Sequence, residues 1–265
     1  MWAHAFKAPG LARPQVAVVG FRELIERARE EKGSPIVLAL DLPPDKPSKL
    51  MRRARQVLEA AAPHVCALKV NFHLVLPLGL SGVRPLVDRA HELGLACIMD
   101  AKLSDIGSTN EVAARYYFEV GGFDALTASP LVGWEGGLEP IFSLARELGK
   151  GIILLAYMSH PGASDFFGLE LPGGRRFYEL VVERAVAWGA DGLVVGATRP
   201  EAIRAVRELV GPDVPIFAPG VGTQGGEPRA ALEAGADFLI VGRSITLAEE
   251  PGKAAERILE LLKGR

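Results

Sequence analysis

Cysteine is nearly missing from this chain, with two among 265 residues. Cys66 and Cys97, both inside apolar strands, read as buried structural thiols in preference to a disulfide or a nucleophile. If Lys69 and Asp100 face a barrel interior, strand parity turns both thiols outward, under the helices. His4, His64, His73 and His91 have no metal-ligand spacing with one another, so no transition-metal site is expected, while magnesium held by carboxylates stays open. No apolar run approaches the ~18 residues that span a bilayer. No basic start leads into an apolar stretch with a small-residue cleavage site, so the expected location is the cytoplasm. A dominant charge is lacking too: 30 basic against 32 acidic residues give a net charge of −2, and neither nucleic acid nor a membrane surface is an expected partner. Amide side chains are scarce, five Asn plus Gln, and Arg outnumbers Lys 21 to 9, a composition that hints at a thermophilic source.

What is present is a chain with 49% hydrophobic residues, enough for a large core, and no low-complexity tract, linker or composition break that marks a second domain. From residue 36 onward short β-rich runs alternate with amphipathic segments. The strand candidates are Ile36–Asp41, Val65–Val70, Leu95–Asp100, Ala125–Ala128, Gly151–Tyr157, Gly192–Gly196, Pro215–Ala218 and Phe238–Gly242. Helical patterns lie between them, among others Pro47–Ala61, Phe177–Trp188, Glu201–Leu209 and Ala254–Leu262. Eight β-then-α units are the number that closes a parallel barrel, and the expected fold is an α/β, (β/α)8 TIM barrel over residues 36–265. A doubly wound open sheet competes, but no Gly-x-Gly-x-x-Gly turn follows the first strand. Residues 1–35 form an N-terminal extension in which Phe21–Glu31 reads as a short charged helix, covering the barrel's bottom or following a dimer edge.

Parallel barrels keep their chemistry at the C-terminal ends of the strands. Those ends carry Asp41, Lys69-Val70-Asn71, Asp100-Ala101-Lys102, Ser129-Pro130, Ser159-His160-Pro161-Gly162, Pro219-Gly220-Val221-Gly222 and Gly242-Arg243-Ser244. Parity places Asp41, Lys69, Asp100 and Lys102 on the inner wall of three consecutive strands, as a chain of alternating signs. At ~4 Å and an effective dielectric of ~20 each neighbouring pair is worth about 4 kcal/mol before desolvation, so the network can keep all four groups ionised. A network serving only barrel closure is the plainer alternative, although apolar layers fill barrel cores as well or better.

A lysine held between carboxylates stays protonated and suits a general acid more than a nucleophile. Asp100 beside a substrate carboxylate would favour its loss, and the Lys102 ammonium would stabilise the charge left behind. Together they describe a cofactor-free decarboxylation; the rival, a Schiff-base lysine, needs a neutral amine in an apolar pocket. The glycine-rich turns Pro219-Gly220-Val221-Gly222-Thr223-Gln224-Gly225-Gly226 and Val241-Gly242-Arg243-Ser244 follow the seventh and eighth strands, where barrels commonly bind phosphate. Arg243 adds a fork-shaped cation. Ser159 can hydrogen-bond a ligand ring, and His160 is either a base or, as lone histidines beside turns more often are, a structural residue.

These motifs, in this order, resemble those of the orotidine 5′-phosphate decarboxylase family, of the compact monofunctional microbial type, from about Val37 to Leu262. The stretches that carry the resemblance are Leu38-Ala39-Leu40-Asp41, Leu68-Lys69-Val70, Asp100-Ala101-Lys102-Leu103-Ser104-Asp105-Ile106, Met158-Ser159-His160-Pro161-Gly162 and the two glycine-rich turns. The Asp-x-Lys-x-x-Asp triplet also occurs in sugar-phosphate decarboxylases and hexulose-phosphate synthases of the same suprafamily. The glutamine-bearing loop and the Ser-His-Pro-Gly stretch favour the nucleotide enzyme.

The resemblance implies a carboxy-lyase that converts orotidine 5′-phosphate to UMP and CO2 in pyrimidine biosynthesis, with no cofactor and no metal. It implies Lys102 as proton donor to C6, Asp100 beside the departing carboxylate, and Lys69 and Asp105 completing the network. Asp41 and Lys69 would hold ribose hydroxyls, Ser159 the pyrimidine, and Gln224, Gly242 and Arg243 the phosphate, with Ile106 and Pro219 lining the apolar side. It also implies a homodimer in which Asp105 and Thr109 act in the neighbouring subunit's site. Asn71-Phe72-His73 departs from the glycine-containing turn of many relatives. The alternatives are a magnesium-dependent keto-sugar-phosphate decarboxylase and a non-catalytic nucleotide-binding barrel.

Overall fold

A computed structural model describes residues 20–264, so most of the expected N-terminal extension, His4 included, lies outside the described residues. Eight strands form one closed parallel barrel in sequence order: β1 (Ile36–Ala39), β2 (Ala67–Val70), β3 (Ala96–Leu103), β4 (Ala125–Ala128), β5 (Gly151–Tyr157), β6 (Gly192–Val195), β7 (Ile216–Pro219) and β8 (Phe238–Val241), with β8 closing on β1. This is a TIM barrel. Its helices are α1 (Phe21–Lys32), α2 (Pro47–Ala61), α3 (Phe72–Glu92), α4 (Gly107–Arg115), α5 (Glu139–Leu148), α6 (Ser164–Phe167), α7 (Phe177–Trp188), α8 (Pro200–Val210), α9 (Pro228–Glu233), α10 (Arg243–Thr246) and α11 (Pro251–Lys263). Strands β4 and β5 have the expected bounds and the other strand ends lie within two residues of theirs, except that β3 continues to Leu103 and so carries Asp100 and Lys102 inside the strand.

Two apolar layers follow from the two faces of the strands. Outward residues such as Leu38, Leu68, Cys97, Leu126 and Leu154 pack under the helices. Inward residues such as Val37, Ala67, Ile98, Ile153, Phe217 and Phe238 fill the barrel. Phe217 and Phe238 stack at 4.8 Å in the lower half, and the Phe217 ring occupies the space a side chain at Gly192 would need. Helix α1 closes the bottom: Phe21, Ile25 and Ala28 recur at helical spacing and join the interior cluster, and the Phe21 ring lies over Gly151. Of the two positions open to this helix, the bottom of the barrel is the one it takes.

Both cysteines are free and buried. Cys97 lies under the helices as parity requires, but Cys66 belongs to the interior cluster with α1. Parity fails there because Cys66 precedes β2, and its thiol donates to the Ile36 carbonyl. Burial pushes that thiol up to about 12, so neither a nucleophile nor a thiolate ligand is at hand. Among the described residues no helix is long and apolar enough to cross a membrane.

Candidate active site

The strands' C-terminal ends open into a cavity of about 460 Å³, reaching from Ala39 and Leu155 inside the barrel to Gln224 and Arg243 at the rim. Its walls include Asp41, Lys69, Asp100, Lys102, Ser159 and Pro219, drawn from β1, β2, β3, β5 and β7 or the turns that follow them. Of the polar strand ends singled out in the sequence, those after β1, β2, β3, β5, β7 and β8 border this one mouth, whereas Ser129-Pro130 after β4 does not.

On its floor, Asp100 Oδ2 receives the Lys69 ammonium at 2.6 Å and the Lys102 ammonium at 2.8 Å. Burial alone would raise the Asp100 carboxyl, but the two adjacent ammonium groups and their hydrogen bonds outweigh it and hold the group well below the usual carboxylate range. Asp100 is therefore ionised at any physiological pH. The lysines are not equivalent: the Lys69 side chain is 8% exposed and that of Lys102 is 39% exposed. Only the second presents its ammonium broadly to the cavity.

Thr127 on β4 completes the floor. Its hydroxyl donates to Asp100 Oδ1 at 2.9 Å and accepts the Lys102 backbone N–H at 2.9 Å. Ala125-Leu126-Thr127-Ala128 scans as an apolar strand, so the sequence alone does not single this residue out. Parity was the available signal, since Thr127 points inward with Ala125.

Asp41 stands apart from the expected four-charge chain, which closes over three residues. Strand β1 ends at Ala39, and a tight turn from the Asp41 N–H to the Ala39 carbonyl at 2.9 Å carries Asp41 out of strand parity. Its carboxylate accepts from Asn71 Nδ2 at 2.7 Å and lies against Gly242, where a Cβ would collide with Oδ2. A side chain at position 242 would displace the Asp41 carboxylate. Asn71 also caps α3 through the His73 N–H, which accounts for the departure from a glycine turn there.

Across the mouth, Ser159 donates to Gln224 Oε1 at 2.8 Å, tying the turn after β5 to the glycine-rich loop after β7. That loop folds on itself through the Gly222 N–H to the Gly226 carbonyl at 2.9 Å. Gly222 has φ 77°, and a Cβ there would strike Ser244 Oγ. Arg243 is exposed at the rim as the first residue of α10 and borders the cavity. His160 is exposed and off the cavity wall.

Asp105, Ile106 and Thr109 do not border this cavity. They are exposed at the start of α4, and Ile106, expected to line the pocket, is 65% exposed instead. The reason is local: after Leu103 the chain turns outward before α4 begins at Gly107. That turn is held by Asn110, fully buried, whose side chain accepts the Asp105 N–H and donates to the Asp105 and Gly137 carbonyls.

At the opposite end of the barrel, His91, Cys97 and Asp124 bring ligand atoms within 4.8 Å of one another, a cluster that spacing along the chain does not reveal. Asp124 is already engaged there, by His91 Nε2 at 2.8 Å, the Cys97 N–H at 2.9 Å and Lys150 at 3.0 Å. Burial raises the Cys97 thiol well above its ordinary value. The group is a clasp around a carboxylate.

A family model described as "Orotidine 5′-phosphate decarboxylase / HUMPS family" matches residues 34–258. The orotidine 5′-phosphate decarboxylase of Pyrococcus abyssi is 38% identical over 229 residues, covering 86% of this chain and 99% of its own. The crystal structure of orotidine 5′-monophosphate decarboxylase from Methanocaldococcus jannaschii, complexed with inhibitor BMP, superimposes with a TM-score of 0.75 at 29% identity over 86% of this chain and 98% of that one. The Leishmania donovani UMP synthase superimposes with a TM-score of 0.82 at 29% identity, covering 93% of this chain and 56% of that longer one.

Proposed function

The chain belongs to the orotidine 5′-phosphate decarboxylase / HUMPS family, and from that premise we propose that this barrel is a carboxy-lyase that decarboxylates orotidine 5′-phosphate to UMP and CO2 with Lys102 as proton donor. The observation that carries the assignment of roles is the floor of the cavity, where one buried carboxylate holds two ammonium groups and Lys102 is the more open of the two lysines.

The bond from C6 to its carboxylate breaks, the electron pair stays on C6, CO2 departs, and Lys102 Nζ gives C6 a proton that solvent later restores. Asp100 faces the departing carboxylate and keeps the ammonium fixed where negative charge develops. Lys69 balances Asp100, so the pair can remain charged in a dry site. Asp41 and Lys69 hold ribose hydroxyls. Ser159 meets the pyrimidine, Pro219 its apolar edge, and Gln224, the Gly242 backbone and Arg243 the phosphate. The Ser159–Gln224 hydrogen bond supports this division, because it joins the ring side of the cavity to the phosphate side.

Each site is completed by a second copy of the chain. Ile106, Val112 and Tyr116 are 65%, 58% and 51% exposed, and with Thr109 they form one stripe along α4. An exposed apolar stripe beginning beside Asp105 is suited to burial against another subunit. Asp105, Ile106 and Thr109 then enter the partner's cavity, which explains why none of them borders its own.

Mixing the protein with orotidine 5′-phosphate and following the loss of the pyrimidine carboxylate's ultraviolet absorbance tests the reading. Turnover that persists in EDTA is expected. No turnover, with EDTA-sensitive activity on a keto-sugar acid phosphate, would overturn it in favour of a magnesium enzyme of the same family.

A further inference from the structure

Lys102 is the one non-glycine residue with positive φ, at 48°, among the described residues. An L-residue held there stores strain and persists only where its surroundings over-determine it. The β3–β4 ladder skips at this point: Met99 pairs with Leu126 and Leu103 with Ala128, leaving Lys102 without a ladder partner. Its N–H goes instead to Thr127 Oγ1, at 2.9 Å. The hydrogen of that hydroxyl goes on to Asp100 Oδ1 at 2.9 Å, while Asp100 Oδ2 holds both ammonium groups. One hydroxyl thus fixes the strained backbone of Lys102 and the rotation of the carboxylate that aims its ammonium.

We infer that Thr127 is a positioning residue for proton transfer, acting through the relay from the Lys102 N–H to Thr127 Oγ1 to Asp100 Oδ1. The inference rests on the reading of Lys102 as proton donor. Thr127 is buried on a strand, so the plain alternative is that a β-branched residue is simply needed for packing. The two accounts differ at T127V, which keeps the shape and removes the hydroxyl, and at T127S, which does the reverse.

The positioning account expects T127V to lower kcat about 30-fold with KM within twofold, since the phosphate and ribose contacts lie elsewhere, and T127S to recover kcat to within about threefold. Exchange of the UMP C6 hydrogen with deuterium oxide, the same proton transfer run in reverse and followed by proton NMR, should slow in T127V by a similar factor. A T127V kcat within twofold of the wild type would overturn the inference, as would a loss confined to KM or a T127S as impaired as T127V. The wild-type protein is the control that separates the two claims: if it fails to turn over orotidine 5′-phosphate, the functional reading falls, whereas an active wild type with an equally active T127V removes only the role of Thr127.

Discussion

Aspartates stand at both rims of this barrel, and they are held in opposite ways. At the bottom, Asp124, Asp191 and Asp237 each precede or begin a strand and clasp one residue of the strand before it. Their carboxylates accept the N–H of Cys97, Ile152 and Ile216 at 2.9, 2.9 and 2.7 Å. Their own N–H groups donate to the carbonyls of those same residues at 2.8, 2.8 and 2.9 Å. At the top, Asp100 accepts only from side chains, two ammonium groups and a hydroxyl, all of which line the cavity. A carboxylate bound to backbone replaces a missing ladder bond and serves the fold. One that gathers side-chain cations in a cavity keeps charge available for a ligand. Side-chain cations reach the bottom aspartates too, so what separates structure from chemistry is the backbone N–H of the preceding strand, which all three accept and Asp100 does not.

The sharpest way to break this contrast is to remove Lys102. Lys102→Ala is expected to lower kcat ~10⁴-fold, at the upper end of what a positioned proton donor supplies, with a melting temperature at or above that of the wild type. A comparable loss of stability would place the top network with the clasps at the bottom. Mixing Lys102→Ala chains with Asp105→Asn chains refines the point. In a hybrid dimer one site receives an intact Lys102 and an intact Asp105 and the other receives neither, so random exchange should restore up to about a quarter of wild-type turnover. An absorbance assay before and after exchange checks it, and no recovery would deny that Asp105 crosses the interface.

The contrast also marks what the residues alone disclose. Alternation in Leu95–Asp100 and the polar ends of successive strands are enough to place Lys69, Asp100 and Lys102 on one wall, because period-2 geometry needs no tertiary information. The barrel itself follows from eight repeats of strand and helix. Asp41 lines the cavity as expected but stands outside the charge chain, because a turn, not a strand, sets its direction. Thr127 and Asn110 escaped because a polar residue inside a strand or helix shows its purpose only through its partners. The bottom clasps leave a trace in Gly-Phe-Asp124, Gly-Ala-Asp191 and Gly-Ala-Asp237, a repeat whose meaning depends on register between neighbouring strands.

A smaller effect is expected from the bottom itself. Phe21→Ala removes the ring that α1 lays over Gly151 and should cost about 3–5 kcal/mol, the usual range for a buried phenylalanine, with kcat unchanged. Chemical denaturation read by fluorescence, alongside turnover at a temperature where both proteins are folded, measures the two quantities. A fall in kcat would mean that the plug reaches the chemistry.

The smallest difference lies among the clasps. Burial raises Asp124, but the His91 hydrogen bond, the Lys150 ammonium and the Cys97 N–H outweigh it and leave the group lowered. Asp191 is raised, since burial exceeds what the Ile152 N–H and Arg22 return. The linkage signs are therefore opposite. A lowered carboxyl binds fewer protons in the folded than in the unfolded chain, so Asp124 contributes stability that is present above pH ~4 and fades as pH falls through its folded value. A raised carboxyl binds more, so Asp191 takes stability away as pH climbs from ~4 through its folded value. Asp124→Asn should cost about 2–3 kcal/mol at pH 7 by stranding Lys150 and His91, and Asp191→Asn less than about 1 kcal/mol, because an amide oxygen still accepts the Ile152 N–H. Urea midpoints at about pH 7 and about pH 2 decide the matter, because the Asp124 contribution is lost only below ~4: the Asp124 deficit should shrink at the lower pH, and equal deficits at both would show that the clasps act through shape alone.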